Sequence, residues 1–406
     1  MNGGRARQRA RVAVLIARLI VERGYRHADA RALLEAGLWQ EGRESLDSAL
    51  RKQLKGRHDR ASGRVLETVA DSRFWRALER DCDWMELEGH DIWLWGDPDY
   101  PSGLASIAEP PAALFLLGRG RQALADGRLI LTVVGTRSPG WYGQAATEHF
   151  VRPLAAAGCS IVSGMALGID GLAHRAALEA GGRTVAVLAC GVDHVYPPEH
   201  VGLYAAIQER GLILSEFPPG SRPRRSWFPA RNRLLSGLGA ATLVMEAGRR
   251  SGTLITVEHA LEQGRDVYAL PGSIFSPESR GPNHLLSEGA GVLLDVEQLL
   301  ENLAAGAAGQ QAVRVAGRLR QLRSPEAGKL SLPRKDVSPQ AGRLLEILGQ
   351  RPANLRELES IMNCGEECLL SCLQELESAG LAELRRGRYV RRSPVRALTE
   401  HEGACI

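Results

Sequence analysis

The chain has 406 residues, enough for two or three domains, and its 44% hydrophobic content supports a sizeable core. Its formal net charge is only +4, which excludes a polycation, so any nucleic-acid contact must be a local patch. No stretch approaches the roughly 20 uncharged apolar residues of a membrane span, and the seven cysteines follow no disulfide framework. A cytoplasmic protein with reduced thiols and no membrane partner is therefore expected.

Residues 1–110 read first as helices, with apolar positions at helical spacing through 12–20 and 30–38 and with Gly24 and Gly37 as helix ends. Arg5, Arg7, Arg9 and Arg11 precede an apolar run, as in a secretory leader, but Arg18 interrupts it and an amphipathic helix is expected. Aromatics at Trp84 and 92–95 and the turn-rich Gly-Asp-Pro-Asp-Tyr-Pro at 96–101 follow. They suggest a strap leading out of a small helical domain.

From about residue 128 short, continuous apolar runs recur at 129–134, 160–163, 184–189, 212–215, 241–246, 266–270 and 291–294. Continuous runs suit strands buried on both faces of a parallel sheet. Helical stretches lie between them at 143–157, 170–181, 199–210 and 253–263. This alternation predicts a doubly wound α/β fold with a mostly parallel sheet, over 111–303. Residues 304–337 carry seven Arg and Lys against Glu326 and Asp336 and read as a basic linker. Residues 338–392 predict helices near 340–349, 355–362 and 366–379 and a basic hairpin turning at 386–388, which together make a winged helix. Cys364, Cys368 and Cys372 fall at i, i+4, i+8 and read as a buried helix stripe, since zinc pairs use shorter spacings. No metal is expected.

In an open α/β sheet, ligands sit at the carboxyl ends of the strands. Here those ends carry the loops 135–140, 163–170, 190–192 and 246–253. Their small residues let backbone N–H groups approach a phosphate, and helix N-termini add a favourable dipole. With Arg137, Arg249 and Arg250 they describe an anion-binding rim that includes Ser163, Gly164, Ser251, Gly252 and Thr253. Neither G-x-G-x-x-G nor Gly-Lys-Ser/Thr occurs, so no nucleotide cofactor is expected. Asp170 and His174 are one helical turn apart. An acid–base or metal pair is one reading; the favoured one has Asp170 capping a helix from Gly171 and His174 packing behind the loop. Glu246 and Glu216 stand at strand ends, where either a ligand or a helix cap would use them.

The segment 222–233 says most about function. It holds Arg222, Arg224, Arg225, Arg231 and Arg233 together with Trp227 and Phe228, and Glu216 is the one acid between 211 and 235. Aromatic faces stack unpaired bases, and arginines neutralise the phosphates between them. The alternative is an amphipathic helix start with solvated charges. Five arginines and two aromatics in twelve residues favour an anionic polymer.

At these residues the chain resembles the DNA processing protein A family, also called DprA or Smf. The resemblance runs from about Asp97 to Leu300. It rests on Gly-Asp-Pro-Asp-Tyr-Pro, Val-Gly-Thr-Arg, Ser-Gly-Met-Ala-Leu-Gly-Ile-Asp, Phe-Pro-Ala-Arg-Asn-Arg-Leu-Leu-Ser-Gly-Leu and Ser-Gly-Thr-Leu-Ile-Thr, in that order. It implies an extended Rossmann-like domain behind an N-terminal helical (SAM-like) domain. It also implies a homodimer built through the Rossmann-like domain, and a protein that binds single-stranded DNA and passes it to RecA in natural transformation and recombination, with no catalytic residues. By position, Arg137, Phe228, Arg231, Asn232 and Arg233 match the family's DNA-binding motifs, with Arg224 or Arg225 near the same groove.

Two features depart from the family. Residues 1–80 lack its Gly-x-Gly hairpin signature. The third helix of the winged helix holds Glu366, Glu367, Glu375 and Glu377 and no Arg or Lys, so phosphates would be repelled. That module is expected to bind protein, or to use only its wing at Arg385, Arg386, Arg388, Arg391 and Arg392. The runner-up is a nucleotide enzyme, since the fold also resembles the cytokinin-activating phosphoribohydrolases. Gly252-Thr253 align with their motif, but Thr256 replaces its glutamate, which argues against hydrolysis.

Overall fold

The computed structural model describes residues 2–36, 43–57, 59–87, 91–124, 127–323, 338–350, 353–362, 364–378, 381–385 and 388–391. They form two compact units, Met1–Arg320 and Gln321–Ile406.

The first unit opens with five helices: α1 (Asn2–Arg23), α2 (His27–Glu35), α3 (Arg43–Leu54), α4 (Arg60–Ala70) and α5 (Ser72–Leu87). The apolar run after the N-terminal arginines folds as the expected amphipathic helix. Val12, Leu15, Ile16 and Leu19 of α1 are buried at helical spacing. Its arginines hold neighbouring acids: Arg11 pairs with Glu79 of α5 and Arg18 with Asp81. The helix at 30–38 is seen to Glu35; Gly37 and Leu38 lie outside the described residues.

A nine-stranded sheet follows: β1 (Asp91–Leu94), β2 (Ala113–Leu117), β3 (Ile130–Val134), β4 (Ser160–Ser163), β5 (Arg183–Val187), β6 (Leu212–Ser215), β7 (Ala241–Val244), β8 (Asp266–Ala269) and β9 (Gly291–Val292). Its order is β1-β2-β6-β5-β4-β3-β7-β8-β9. The seven strands from β3 to β9 are mutually parallel and match the seven apolar runs; β1 and β2 add an antiparallel flap beside β6. The segment read as a strap therefore belongs to the sheet. β1 and β2 pair antiparallel with no long helical crossover between them, so the strand–helix alternation that marks the other strands does not reveal them.

Helices cover both faces. One face carries α7 (Trp141–Ala156), α8 (Ile169–Glu179), α13 (Val296–Ala305) and α14 (Gly309–Arg323), packed on Leu131, Val133 and Ile161. The other carries α6 (Ser102–Ala105), α10 (Trp227–Leu238), α11 (Thr253–Glu262) and α12 (Arg280–Ser287), packed on Val134, Val162 and Val244. A further helix, α9 (Val201–Arg210), packs with the N-terminal helices. The linker reading is corrected over 309–323. That stretch is α14, and its Ala312, Val315 and Leu319 are buried in the sheet's own core. The arginines had masked an i, i+3, i+7 apolar stripe. Residues 324–337 lie outside the described set.

The second unit holds α15 (Pro339–Gln350), α16 (Leu355–Met362), α17 (Glu366–Ser378) and the antiparallel pair β10 (Ala382–Arg385) and β11 (Arg388–Arg391). Its core is Leu344, Leu348, Leu358, Leu369, Leu373 and Leu376. Cys372 is buried in α17; Cys368 and Cys364 are half-buried, the latter just ahead of the helix. Glu375 accepts hydrogen bonds from the Ser338 N–H (2.6 Å) and hydroxyl (2.7 Å), so one acid of the third helix has a structural task. The turn at 386–387 and the side chains of the wing arginines lie outside the described residues. No helix among the described residues is long and apolar enough to cross a membrane.

Candidate nucleic-acid interface

The chain winds outward from β3 through β4 and β5 to β6, then returns to β7 on the other side of β3. That reversal makes a crevice at the carboxyl ends of β3 and β7, where open α/β sheets place a ligand. Here the crevice is filled from within. Glu246, just after β7, accepts hydrogen bonds from the Gly140 N–H (2.8 Å) and the Gly143 N–H (3.1 Å). Its carboxylate thus satisfies the N-terminus of α7, whose own N-cap, Gly140, has no side chain to do so. Gly143 is required there: a Cβ would lie 2.4 Å from the Glu246 carboxyl carbon. A phosphate at this helix end would meet a carboxylate already in place. Burial raises the Glu246 pKa, and the two N–H groups oppose that shift.

The loop after β4 is braced in the same manner. Gly168 has φ 79°, and a Cβ there would lie 2.4 Å from the Thr136 carbonyl oxygen. The Asp170 carboxylate accepts from the N–H groups of Gly164 (3.1 Å) and Ala166 (3.2 Å). The expected cap role is corrected: α8 begins at Ile169, and Asp170 turns back onto its own loop. Burial pushes Asp170 up to about 6, with Arg231 pulling the other way. His174 packs behind the loop as expected. Its Nδ1 lies 2.6 Å from the Thr184 hydroxyl, which itself donates to the Ile161 carbonyl, so the ring carries its proton on Nδ1. Burial pushes His174 down to about 3.

The arginines of 222–233 divide into two classes. Successive residues on a helix are about 100° apart, so neighbours in sequence leave α10 on different faces. Phe228, Arg231 and Asn232 share the face toward the carboxyl edge. Trp227, Ala230 and Arg233 share the other, lining a cleft with His27, Glu216 and Phe217. Arg231 is only 4% exposed; its guanidinium donates to the carbonyls of Gly164 (3.0 Å) and Val187, and its Nε to Asn232 Oδ1 (3.2 Å). Arg233 makes a two-pronged pair with Glu216, at 2.6 and 3.0 Å. Both guanidiniums are thus engaged by protein acceptors, which brace the loop after β4 and Glu216. Ser163 is fully buried and donates to the Val133 carbonyl at 2.7 Å. Gly164 is buried beneath Arg231, and Asn232 is half-buried. Ser251, Gly252 and Thr253 open α11, where the Ser251 hydroxyl bonds Thr253 Oγ1 (2.9 Å) and accepts its N–H (3.2 Å).

The exposed class forms one surface. Arg137 projects from the β3 loop with its guanidinium carbon 5.9 Å from the Phe228 ring centre. Phe228 in turn lies 5.6 Å from the ring of Tyr196, which is 40% exposed. Sequence reading missed Tyr196; the signal was an aromatic before two prolines in the loop after β5. Trp227 is stacked on Phe217 at 4.3 Å and 13°, and Arg224 covers its outer face at 4.8 Å. This sandwich anchors the arginine loop to the sheet. Arg137, Arg222, Arg224, Arg225, Arg249 and Arg250 are exposed, with no carboxylate at ion-pair distance among the described residues. The surface therefore offers two ring faces flanked by uncompensated cations. No group of acids, histidines and cysteines among the described residues is arranged to hold a metal ion.

Known proteins resemble this chain over the whole sheet. The family model for DNA recombination-mediator protein A matches residues 91–304, the span from β1 into α13. The chain is 39% identical to the Smf protein of Synechocystis over 313 residues, covering 73% of this chain and 79% of that one. It is 43% identical to the DNA processing protein DprA of Bacillus subtilis over 204 residues, half of this chain and 68% of the relative. Among solved structures, DNA processing protein A of Streptococcus pneumoniae superposes with a TM-score of 0.59 at 34% identity, covering 70% of this chain and 95% of that chain. The sheet, its filled crevice and the aromatic–arginine surface thus belong to a member of the DNA recombination-mediator protein A family.

Proposed function

We propose that this chain is a non-catalytic protein that binds single-stranded DNA along the carboxyl edge of its sheet, protects it and loads RecA onto it in natural transformation and recombination. The observation that carries this reading is the cluster of exposed Arg137 and Tyr196 around half-buried Phe228, beside exposed Arg222, Arg224 and Arg225. Ring faces stack bases of any sequence, and unpaired guanidiniums take the phosphates. The RecA step draws on the family's description as a recombination mediator. A homodimer through the Rossmann-like unit is supported by the exposed apolar side chains of Val292 and Leu294 at the β9 edge of the sheet. The six cysteines among the described residues have no disulfide partners, which fits a cytoplasmic setting.

The mononucleotide-enzyme reading loses support at Glu246, which occupies the helix end that would hold a phosphate. Filter binding with single-stranded, duplex and mononucleotide ligands separates the readings. Single-strand preference is expected, and preference for the mononucleotide would overturn the proposal. The RecA step is tested by filament formation on DNA pre-coated with single-strand binding protein. Filaments should form only when this protein is added.

A further inference from the structure

The opposite end of the sheet carries a second charged surface. Four arginines from three separate parts of the chain converge where β3, β4 and β5 begin. Arg128, ahead of β3, donates to the Gly158 carbonyl (3.0 Å) and to the Gln122 carbonyl (3.0 Å). Arg183, the first residue of β5, donates to the Gln122 side chain at 3.2 Å. Arg318 of α14 reaches the same Gly158, its Nη1 lying 3.2 Å from where a Cβ would stand. Arg314, one turn earlier, lies over Gly127 at 3.6 Å by the same measure. Adjacent strands are about 4.8 Å apart, so these guanidiniums form a row along the edge rather than a point.

The row has no counter-charge. None of the four arginines has a carboxylate at ion-pair distance among the described residues. Like charges held together without acids cost stability, and Arg128 registers this: burial lowers its pKa, and Arg183 and Arg318 lower it further. Arg314 and Arg318 are exposed, yet their helix is fixed by Ala312, Val315 and Leu319 in the core. The charges are thus presented by a rigid element. The family match ends at residue 304, ahead of α14, so the helix that supplies half of the row lies outside it.

We propose that Arg128, Arg183, Arg314 and Arg318 form a second nucleic-acid contact at the amino edge of the sheet, which holds a phosphodiester backbone without reading its bases. Among the described residues none of the four guanidiniums lies over an aromatic ring, so contact is through phosphates alone. An extended strand leaving the carboxyl edge, or a duplex flanking it, supplies the same chemistry.

The test uses the full-length chain and the double variant Arg314→Ala with Arg318→Ala. Both positions are exposed on a helix, where alanine is well tolerated. Binding to dT60, dT10 and a 30-base-pair duplex is followed by fluorescence anisotropy across salt concentrations. If two phosphate contacts are lost on a single strand, the log–log salt slope becomes shallower by about 1.4 and dT60 affinity falls about 25-fold near 0.1 M salt. Affinity for dT10, short enough to be held at the carboxyl edge, should stay unchanged. A loss confined to the duplex assigns the row to duplex backbone and also supports the proposal. The variant with lysine at both positions should recover the slope, because charge is the operative property. Unchanged slopes for both dT60 and duplex would overturn the proposal. An Arg137→Ala, Phe228→Ala variant that still binds dT10 would instead overturn the carboxyl-edge reading, leaving the amino-edge result to stand on its own arm.

Discussion

The loop 221–226 and the helix that follows it, α10, both carry arginines, three in six residues of the loop and two in twelve of the helix, yet their arginines do opposite things. Arg222, Arg224 and Arg225 precede the helix and point to solvent. Arg231 and Arg233 lie within it, and their guanidiniums are consumed by carbonyls and by Glu216. A helix packed on a sheet turns most of its surface toward protein, whereas a loop does not. Motif position in sequence therefore says less about phosphate contact than the element that carries the residue. Arg231 and Arg233 shape the site; Arg137 and the loop arginines face outward.

The sharpest way to break this comparison is Arg231→Met. Removing one member of a buried, hydrogen-bonded charge system costs about 3–5 kcal/mol. A large fall in the denaturation midpoint is expected. Full stability with lost DNA affinity would return Arg231 to the contact class.

Next is the pH response of the acid that faces Arg231 across Gly164. Asp170, held near 6 in the fold against an ordinary 3.8, takes up protons on folding, so its contribution to stability falls as pH rises from about 4 to 6. His174, held near 3 against an ordinary 6.5, excludes a proton, so its contribution rises with pH from about 3 to 6.5. Each slope is about 1.4 kcal/mol per pH unit, and between pH 4 and 6 they offset each other. Asp170→Asn should expose the histidine slope. Relative to the wild type, the variant loses about 2.7 kcal/mol more between pH 6 and pH 4, as urea denaturation at each pH would measure. Parallel curves for the two proteins would rule out the buried-carboxylate assignment.

Phe228→Ala and Trp227→Ala separate the two aromatic neighbours. Losing a stacked base costs roughly 1–3 kcal/mol of affinity, so Phe228→Ala should bind single strands more weakly at an unchanged melting temperature. Trp227→Ala, which breaks the stack on Phe217, should lower the melting temperature instead. The reversed pattern would exchange their roles.

The smallest effects belong to single exposed arginines. Arg137→Ala and Arg225→Ala should each flatten the salt dependence of single-strand binding by about 0.7, equally for all sequences. A sequence-dependent loss would mean that these residues read bases.

Sequence alone determined the parallel sheet, because strands buried on both faces must be written as continuous apolar runs and helices between them as periodic ones. It also located the crevice loops and the arginine-rich segment, since glycines and charges at strand ends are local features. Only the tertiary structure decided which charges are spent. Glu246 finds Gly140 and Gly143 across the sheet's reversal, Arg233 finds Glu216, and Tyr196 joins Phe228 from a loop about thirty residues away. Those partners are brought together by strand order, which pairs β3 with β7 rather than with its sequence neighbours alone. The same holds for α14: its composition reads as a linker, and only a sheet face waiting for Ala312, Val315 and Leu319 makes it a helix with two arginines at a fixed edge.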